Sequence, residues 1–163
     1  MSNFRDLREL VQHLEARGKL YRFKEPVNKD TEIGALFRVQ MRGVPENQRK
    51  ALLFENVVGS AHGRYEMSVL SGIYGASSDI LAIALGCGSY VEMLDKWHHA
   101  LTHPIAPIMT NDAPVHEEVH SGEELSSLGL DEIPVPVEEP GFSGILRTGL
   151  PMISRGCSRT SLV

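Results

Sequence analysis

The chain has 163 residues, 42% of them apolar and 23% charged. That balance excludes disorder along the whole length, and it allows one domain, or one domain and the beginning of another, to bury about two-thirds of its unfolded surface. Sixteen Lys and Arg against 21 Asp and Glu give a net charge of -5; with the basic residues scattered, this argues against a nucleic-acid or membrane surface as the main business.

The N-terminus "MSNFRDLREL" leads straight into an amphipathic pattern, and no run approaches about 18 uninterrupted apolar residues. Neither secretion nor a membrane span is expected. Cys87 and Cys157 lie far apart in no metal-like or redox-like spacing, which reads as reduced thiols in a cytoplasmic protein.

Phe4, Leu7, Leu10, Val11 and Leu14 recur at three- and four-residue intervals, which predicts a first helix with one buried stripe, capped by Asn3 and closed by Gly18. "KLYRFKEPV" follows as a strand bounded by Pro26. Asp30 is placed to cap a second helix carrying Ile33, Leu36, Phe37 and Met41, stopped by Gly43 and Pro45. "ALLFENV", the turn-rich "VGSAHG" and "YEMSVLSG" predict a strand, a loop and a strand. "SDILAIALG" reads as a short helix capped by Ser77 or Ser78 and closed by Gly86. Ser89 and Glu92 have capping-box spacing before Met93, Leu94, Trp97 and Leu101, so a further helix runs toward Pro104.

Beyond that point the texture changes. Seven of the nine prolines lie between 104 and 151, a composition suited to short strands and links, and it places a boundary between an α/β part and a β-rich part near 104 to 140.

Three patterns bear on chemistry. "HEEVH" at 116 to 120 fits the zinc-peptidase pattern, in which two histidines a helical turn apart hold the metal and a glutamate activates water. Pro114 precedes it, Gly122 follows it, and Val115, Glu117 and Val119 alternate with His116, Glu118 and His120. Period two predicts a strand, with the histidines roughly 13 Å apart, and a solvated face rather than a metal site. "WHHALTH" offers His99 and His103 one turn apart with no completing ligand; a helix C-terminus accounts for them. "SGIYGASSDI" lacks both phosphate-loop spacings, although a helix N-terminus there could hold an anion. Neither Cys87 nor Ser89 has a base identifiable in sequence.

The ordered set "DLRELVQHLEARGKLYRFKEPV", "DTEIGALFR", "ALLFENVVGS", "SVLSGIYGASSDILAIALG" and "DEIPVP" resembles the N-terminal part of the UbiD family of reversible decarboxylases, over about residues 4 to 155. The resemblance implies an α/β N-terminal domain followed by the start of a split β-barrel: residues 1–110 as the domain, 111–155 as linker and entry strands of an incomplete flavin-binding barrel, and 156–163 as an atypical tail. It further implies prenylated FMN, a divalent metal (Mn or Mg) and potassium, and removal or addition of carbon dioxide on an aromatic or α,β-unsaturated carboxylate.

The matching entry strand "GILRTGLPMISR" makes Thr148 a candidate cofactor-side residue, set against an exposed strand threonine. After Arg155, "GCSRTSLV" has no counterpart of the family's metal asparagine, catalytic arginine or acidic proton donors. The expectation is therefore a fragment that does not catalyse alone. The alternatives are a non-catalytic subunit whose barrel lies on another chain, and a stand-alone α/β binding module; a homo-oligomer is compatible with any of them.

Overall fold

The computed structural model describes residues 4–60, 63–111, 119–126 and 133–136. In chain order the elements are α1 (Leu7–Ala16), β1 (Leu20–Phe23), β2 (Val27–Asn28), α2 (Ile33–Gly43), β3 (Ala51–Phe54), β4 (Val57–Gly59), β5 (Gly63–Arg64), β6 (Val69–Ser71), α3 (Ser78–Ala84) and α4 (Tyr90–Thr102), with short 3-10 turns at Glu46–Gln48 and Gly122–Ser126.

Strand β3 is apolar on every residue because both of its faces are covered, the pattern of a strand buried between helices. Ala51 and Leu53 point into a cluster with Leu10 and Leu14 of α1, Leu20 of β1, and Ile80 and Ile83 of α3. Leu52 and Phe54 point the other way, into a cluster with Val27, Ile33, Val57 and Tyr65. Helices α1 and α3 thus lie on one side and α2 on the other. Phe37 of α2 packs against both clusters. Leu14, Ile33, Phe54, Val57 and Ile80 are the large side chains most completely removed from solvent, each stabilising the fold by about 1.5–3 kcal/mol relative to exposure.

The first sheet has the order β1-β3-β6, with β1 and β3 parallel and β6 antiparallel to β3. The parallel pair needs a crossover, and α2 lies within it. Pairing runs from Leu20 opposite Ala51 to Phe23 opposite Phe54, then resumes with Val27 opposite Val57 in a second sheet, β2-β4-β5. Three residues, 24–26, therefore stand against two, 55–56. The extra residue makes a bulge that contains Pro26, which has no N–H to give the ladder. The Glu55 N–H donates to the Phe23 carbonyl (3.0 Å) on one side of the bulge, and the Val27 N–H donates to the Asn56 carbonyl (2.9 Å) on the other.

Two expected caps fall elsewhere. Asp6, not Asn3, caps α1: its carboxylate accepts from the Glu9 N–H at 2.9 Å, and the Glu9 carboxylate accepts from the Arg5 N–H at 2.8 Å. Helix α2 starts after Glu32 with no side-chain cap; Asp30 is turned instead toward Lys29 and Ser60. The segment "VGSAHG", expected as a loop, holds the end of β4 and the start of β5, which pair as a tight antiparallel hairpin; the other caps and stops hold. Ser77 caps α3 and Ser89 caps α4, each accepting at 3.2 Å from the N–H three residues on. Gly18 and Gly86 close α1 and α3 with φ of 67° and 69°, conformations that a side chain would strain. The architecture is α/β, as expected; of residues 111–155, expected as linker and barrel entry, only 111, 119–126 and 133–136 are described, with the turn Gly122–Ser126 as their regular element, and the rest, with the tail 156–163, lies outside the described residues.

Candidate functional site

The ionisable side chains that the fold brings together form three nodes. Arg22 of β1 reaches back to α1, where Nε and Nη2 donate to the two carboxylate oxygens of Glu15 at 2.6 and 2.8 Å, and Nη1 donates to Glu55 at 2.5 Å. A planar guanidinium suits this two-sided grip. The hydrogen bond from Arg22 holds the Glu15 carboxyl below its ordinary range, and the bonds to Glu15 and then Glu55 raise Arg22 further above its own. The node ties α1 to the bulge.

The second node sits at the start of the second sheet. Lys29 Nζ donates to Asp30 (2.5 Å) and lies 5.7 Å from the Tyr65 ring centre. The Ser60 N–H donates to Asp30 at 2.9 Å, the Asp30 N–H donates to the Asn28 side chain at 2.8 Å, and Asn28 Nδ2 donates to Ser60 Oγ at 3.2 Å. Burial pushes the Asp30 carboxyl up, but the Lys29 and Ser60 bonds outweigh it and its pKa is lowered.

The third node fills the N-terminus of α3. Glu46 accepts from both the N–H and the hydroxyl of Ser78, at 2.9 and 2.8 Å, and these bonds lower its pKa. The anion that a helix N-terminus could attract here is the protein's own carboxylate. Beside it, Lys19 Nζ donates to the Asn47 carbonyl (3.1 Å) and to Asp79 (3.2 Å), and Arg49 donates to the carbonyls of Val44 and Met41 at the end of α2. All three nodes fasten elements to one another.

The residues singled out in the sequence do not meet. His116 and Thr148 lie outside the described residues; His120 is exposed, with Nδ1 3.6 Å from Glu124. His99 and His103 stack with ring centres 4.2 Å apart, and His103 Nδ1 lies 3.2 Å from the His99 carbonyl and 2.9 Å from Thr102 Oγ1, which places them as part of the α4 C-terminus. Cys87 is buried beside Ala82 and Met93. Among the described residues no three His, Cys, Asp or Glu side chains converge as metal ligands do, and no helix is long and apolar enough to cross a membrane.

An open groove of about 400 Å³ runs between the start of α1 and the end of α3, lined by Phe4, Asp6, Leu7, Leu10 and Ala84 to Gly86. Its walls are mainly apolar and hold no convergent set of polar groups. Helix α4 is open in a different way: of its 13 residues only Met93 is buried, while Tyr90, Val91, Leu94, Trp97 and Leu101 are exposed. The stripe expected to be buried is mostly uncovered. The described residues therefore form an α/β domain whose charged side chains fasten its elements together and whose last helix leaves an apolar face uncovered.

Residues 11–97, more than half of the chain, match the family model of the 3-octaprenyl-4-hydroxybenzoate carboxy-lyase N-terminal domain. The chain belongs to the UbiD family. Among solved structures it is similar to the vanillic acid decarboxylase of Sedimentibacter hydroxybenzoicus in its closed form, with TM-score 0.50 and 27% identity over 63% of this chain and 20% of that one. It is also similar to the open form of that enzyme, with TM-score 0.47 and 28% identity over 61% and 20%. The chain spans about a fifth of the length of these structures.

Proposed function

We propose that this chain is the N-terminal domain of a decarboxylase or carboxylase acting on an aromatic or α,β-unsaturated carboxylic acid with prenylated FMN, a divalent metal (Mn or Mg) and potassium. The observation that carries this reading is the family match over residues 11–97, the segment from α1 to α4 that holds the whole parallel core. The similarity to a vanillic acid decarboxylase supports an aromatic acid as the substrate class.

Prenylated FMN, when bound, supplies the electron sink for the carbanion-like stage of decarboxylation. The described residues do not form a ligand set for its metal, so they have a different task. The rigid β3 core and the three charged nodes hold the domain's surfaces in fixed relation, giving the barrel something firm to pack on and supplying one wall of the cleft. Residues 111–155 form the link and the barrel's entry strands, with Thr148 on the cofactor side. The reaction belongs to the assembled enzyme in the cytoplasm, and this chain alone does not perform it.

The test replaces the matched N-terminal segment of the S. hydroxybenzoicus decarboxylase with residues 1–111 of this chain and measures carbon dioxide release from vanillate in cells that make the prenylated flavin. Release by the fusion and none by the 163-residue chain is expected. A flavin spectrum that survives gel filtration of the 163-residue chain, or decarboxylation by it, would refute the division of labour.

A further inference from the structure

We propose that His99 and His103 chelate one divalent cation of the class that favours imidazole nitrogen, Zn²⁺ or Cu²⁺, at the C-terminal end of α4; the site stands apart from the function proposed above and does not rest on it. The two residues are four apart, one helical turn, and the backbone keeps that spacing, the His103 N–H donating to the His99 carbonyl at 2.9 Å. Both side chains are exposed, and their rings stack with centres 4.2 Å apart and planes 9° from parallel. At a tetrahedral ion, metal–nitrogen bonds of about 2.0–2.1 Å put two ligand nitrogens about 3.3 Å apart. A small tilt of one ring out of the stack meets that requirement.

The hydrogen bonds behind His103 select the atom that binds. Thr102 Oγ1 donates to the carbonyls of His98 and His99 at 3.0 and 3.1 Å, so toward His103 the hydroxyl accepts, and the His99 carbonyl can only accept. His103 Nδ1 lies 2.9 Å from that hydroxyl and 3.2 Å from that carbonyl; it therefore carries the proton and leaves the lone pair on Nε2. An imidazole whose far N–H is held by a backbone carbonyl is the arrangement usual for a metal-ligating histidine, because the bond fixes both tautomer and ring. The location favours a cation as well: the last carbonyls of α4 carry the negative end of the helix dipole, and Asp95 adds a carboxylate one turn before His99. No third His, Cys, Asp or Glu side chain converges with the pair among the described residues, so water completes the coordination, and the imidazole pair selects zinc or copper over oxygen-seeking Mg²⁺ and Mn²⁺.

The test adds zinc chloride to the 163-residue chain and follows the histidine ring nitrogens in long-range ¹H–¹⁵N spectra, with isothermal titration for affinity and stoichiometry. One ion per chain is expected, with His103 Nε2 and one ring nitrogen of His99 shifting while His103 Nδ1 keeps its proton. His99→Ala and His103→Ala should each weaken binding by at least the tenfold or so that loss of an outer-shell partner costs a metal site. His98→Ala, about 100° away around the helix, should stay within about twofold. Magnesium chloride at the same concentration should shift neither ring. Circular dichroism checks that the variants keep their helix content.

Zinc that binds without shifting these rings, or whose binding is lost in His116→Ala and unchanged in folded His99→Ala and His103→Ala, sits elsewhere and overturns the proposal. The absence of saturable binding does the same. One ion held between two chains, seen as a dimer that sediments only with zinc present, overturns the single-chain chelate.

Discussion

Gly72→Ala tests whether the two helical layers meet the sheet as described. Gly72 follows β6 with φ of 87°, and a Cβ added there would lie 3.0 Å from Phe37 Cε2, 3.3 Å from Ala76 Cβ and 3.7 Å from the Ala51 Cα. Two costs arise separately. The backbone conformation costs a non-glycine residue about 1–3 kcal/mol, and the close contacts add about 1–2 kcal/mol, since Ala76 is fully buried and cannot give way. Against this, alanine restricts the unfolded chain and returns about 0.4–1 kcal/mol. A net loss of about 2–3 kcal/mol is expected, read by urea denaturation, with a fall in Tm of about 10–20 °C for a folded unit of this size. Phe37→Leu in the Gly72→Ala background removes the contact with the ring but not the backbone cost, so the double variant should lose less than the sum of the two single losses. A Gly72→Ala protein within about 0.5 kcal/mol of the parent would refute the placement of α2 and α3 over this turn.

The remaining tests address the caps, the charged nodes and the core. Ser89→Ala and Asp6→Ala should each cost about 1 kcal/mol in the same assay, because each leaves a helix N–H without its acceptor. Asp30 has a lowered folded pKa, so its contribution is present above the ordinary carboxylate pKa of about 4 and is lost as pH falls through the lower folded value. Urea midpoints measured between about pH 2 and pH 6 should therefore fall less steeply on the acid side in Asp30→Asn than in the parent, and parallel curves would exclude the Lys29–Asp30–Ser60 node. Phe54→Ala removes a fully buried ring that stacks on Phe23 at 4.8 Å and should cost about 3–5 kcal/mol. Cys87 is 5% exposed, and mass spectrometry should find it unmodified by a thiol reagent until the domain is unfolded.

How much of this was legible in the sequence depended on the range of the interaction. The stripe Leu10 and Leu14, the caps Ser77 and Ser89, and the closing glycines Gly18 and Gly86 are local, and the sequence states them directly. The cap of α1 was misplaced by three residues because Asn3 and Asp6 have the same chemistry; the spacing of Asp6 to Glu9, matching that of Ser89 to Glu92, was the available signal. A short acid before a helix is usually its cap, and Asp30 departs from that rule. Its actual partner, the Ser60 N–H, is 30 residues away, where no window on the sequence reaches. The same holds for Glu46 on Ser78 and for Arg22 on Glu55, pairs 32 and 33 residues apart. Strand β2 has no signal in the sequence, because two residues after a proline carry no periodicity of their own.

Helix α4 differs from these cases, because the periodicity was right and the inferred burial was not. Periodicity records which residues a chain places on one face; it carries no information about which body covers that face. For α1 and α3 the cover is β3, within the same domain. For α4 the domain supplies cover only for Met93, through Ala82 and Cys87, and leaves Leu94, Trp97 and Leu101 outside. A 13-residue helix is marginal in water on propensity alone and needs packing to persist. The sequence of α4 is thus patterned for more apolar contact than the described residues provide.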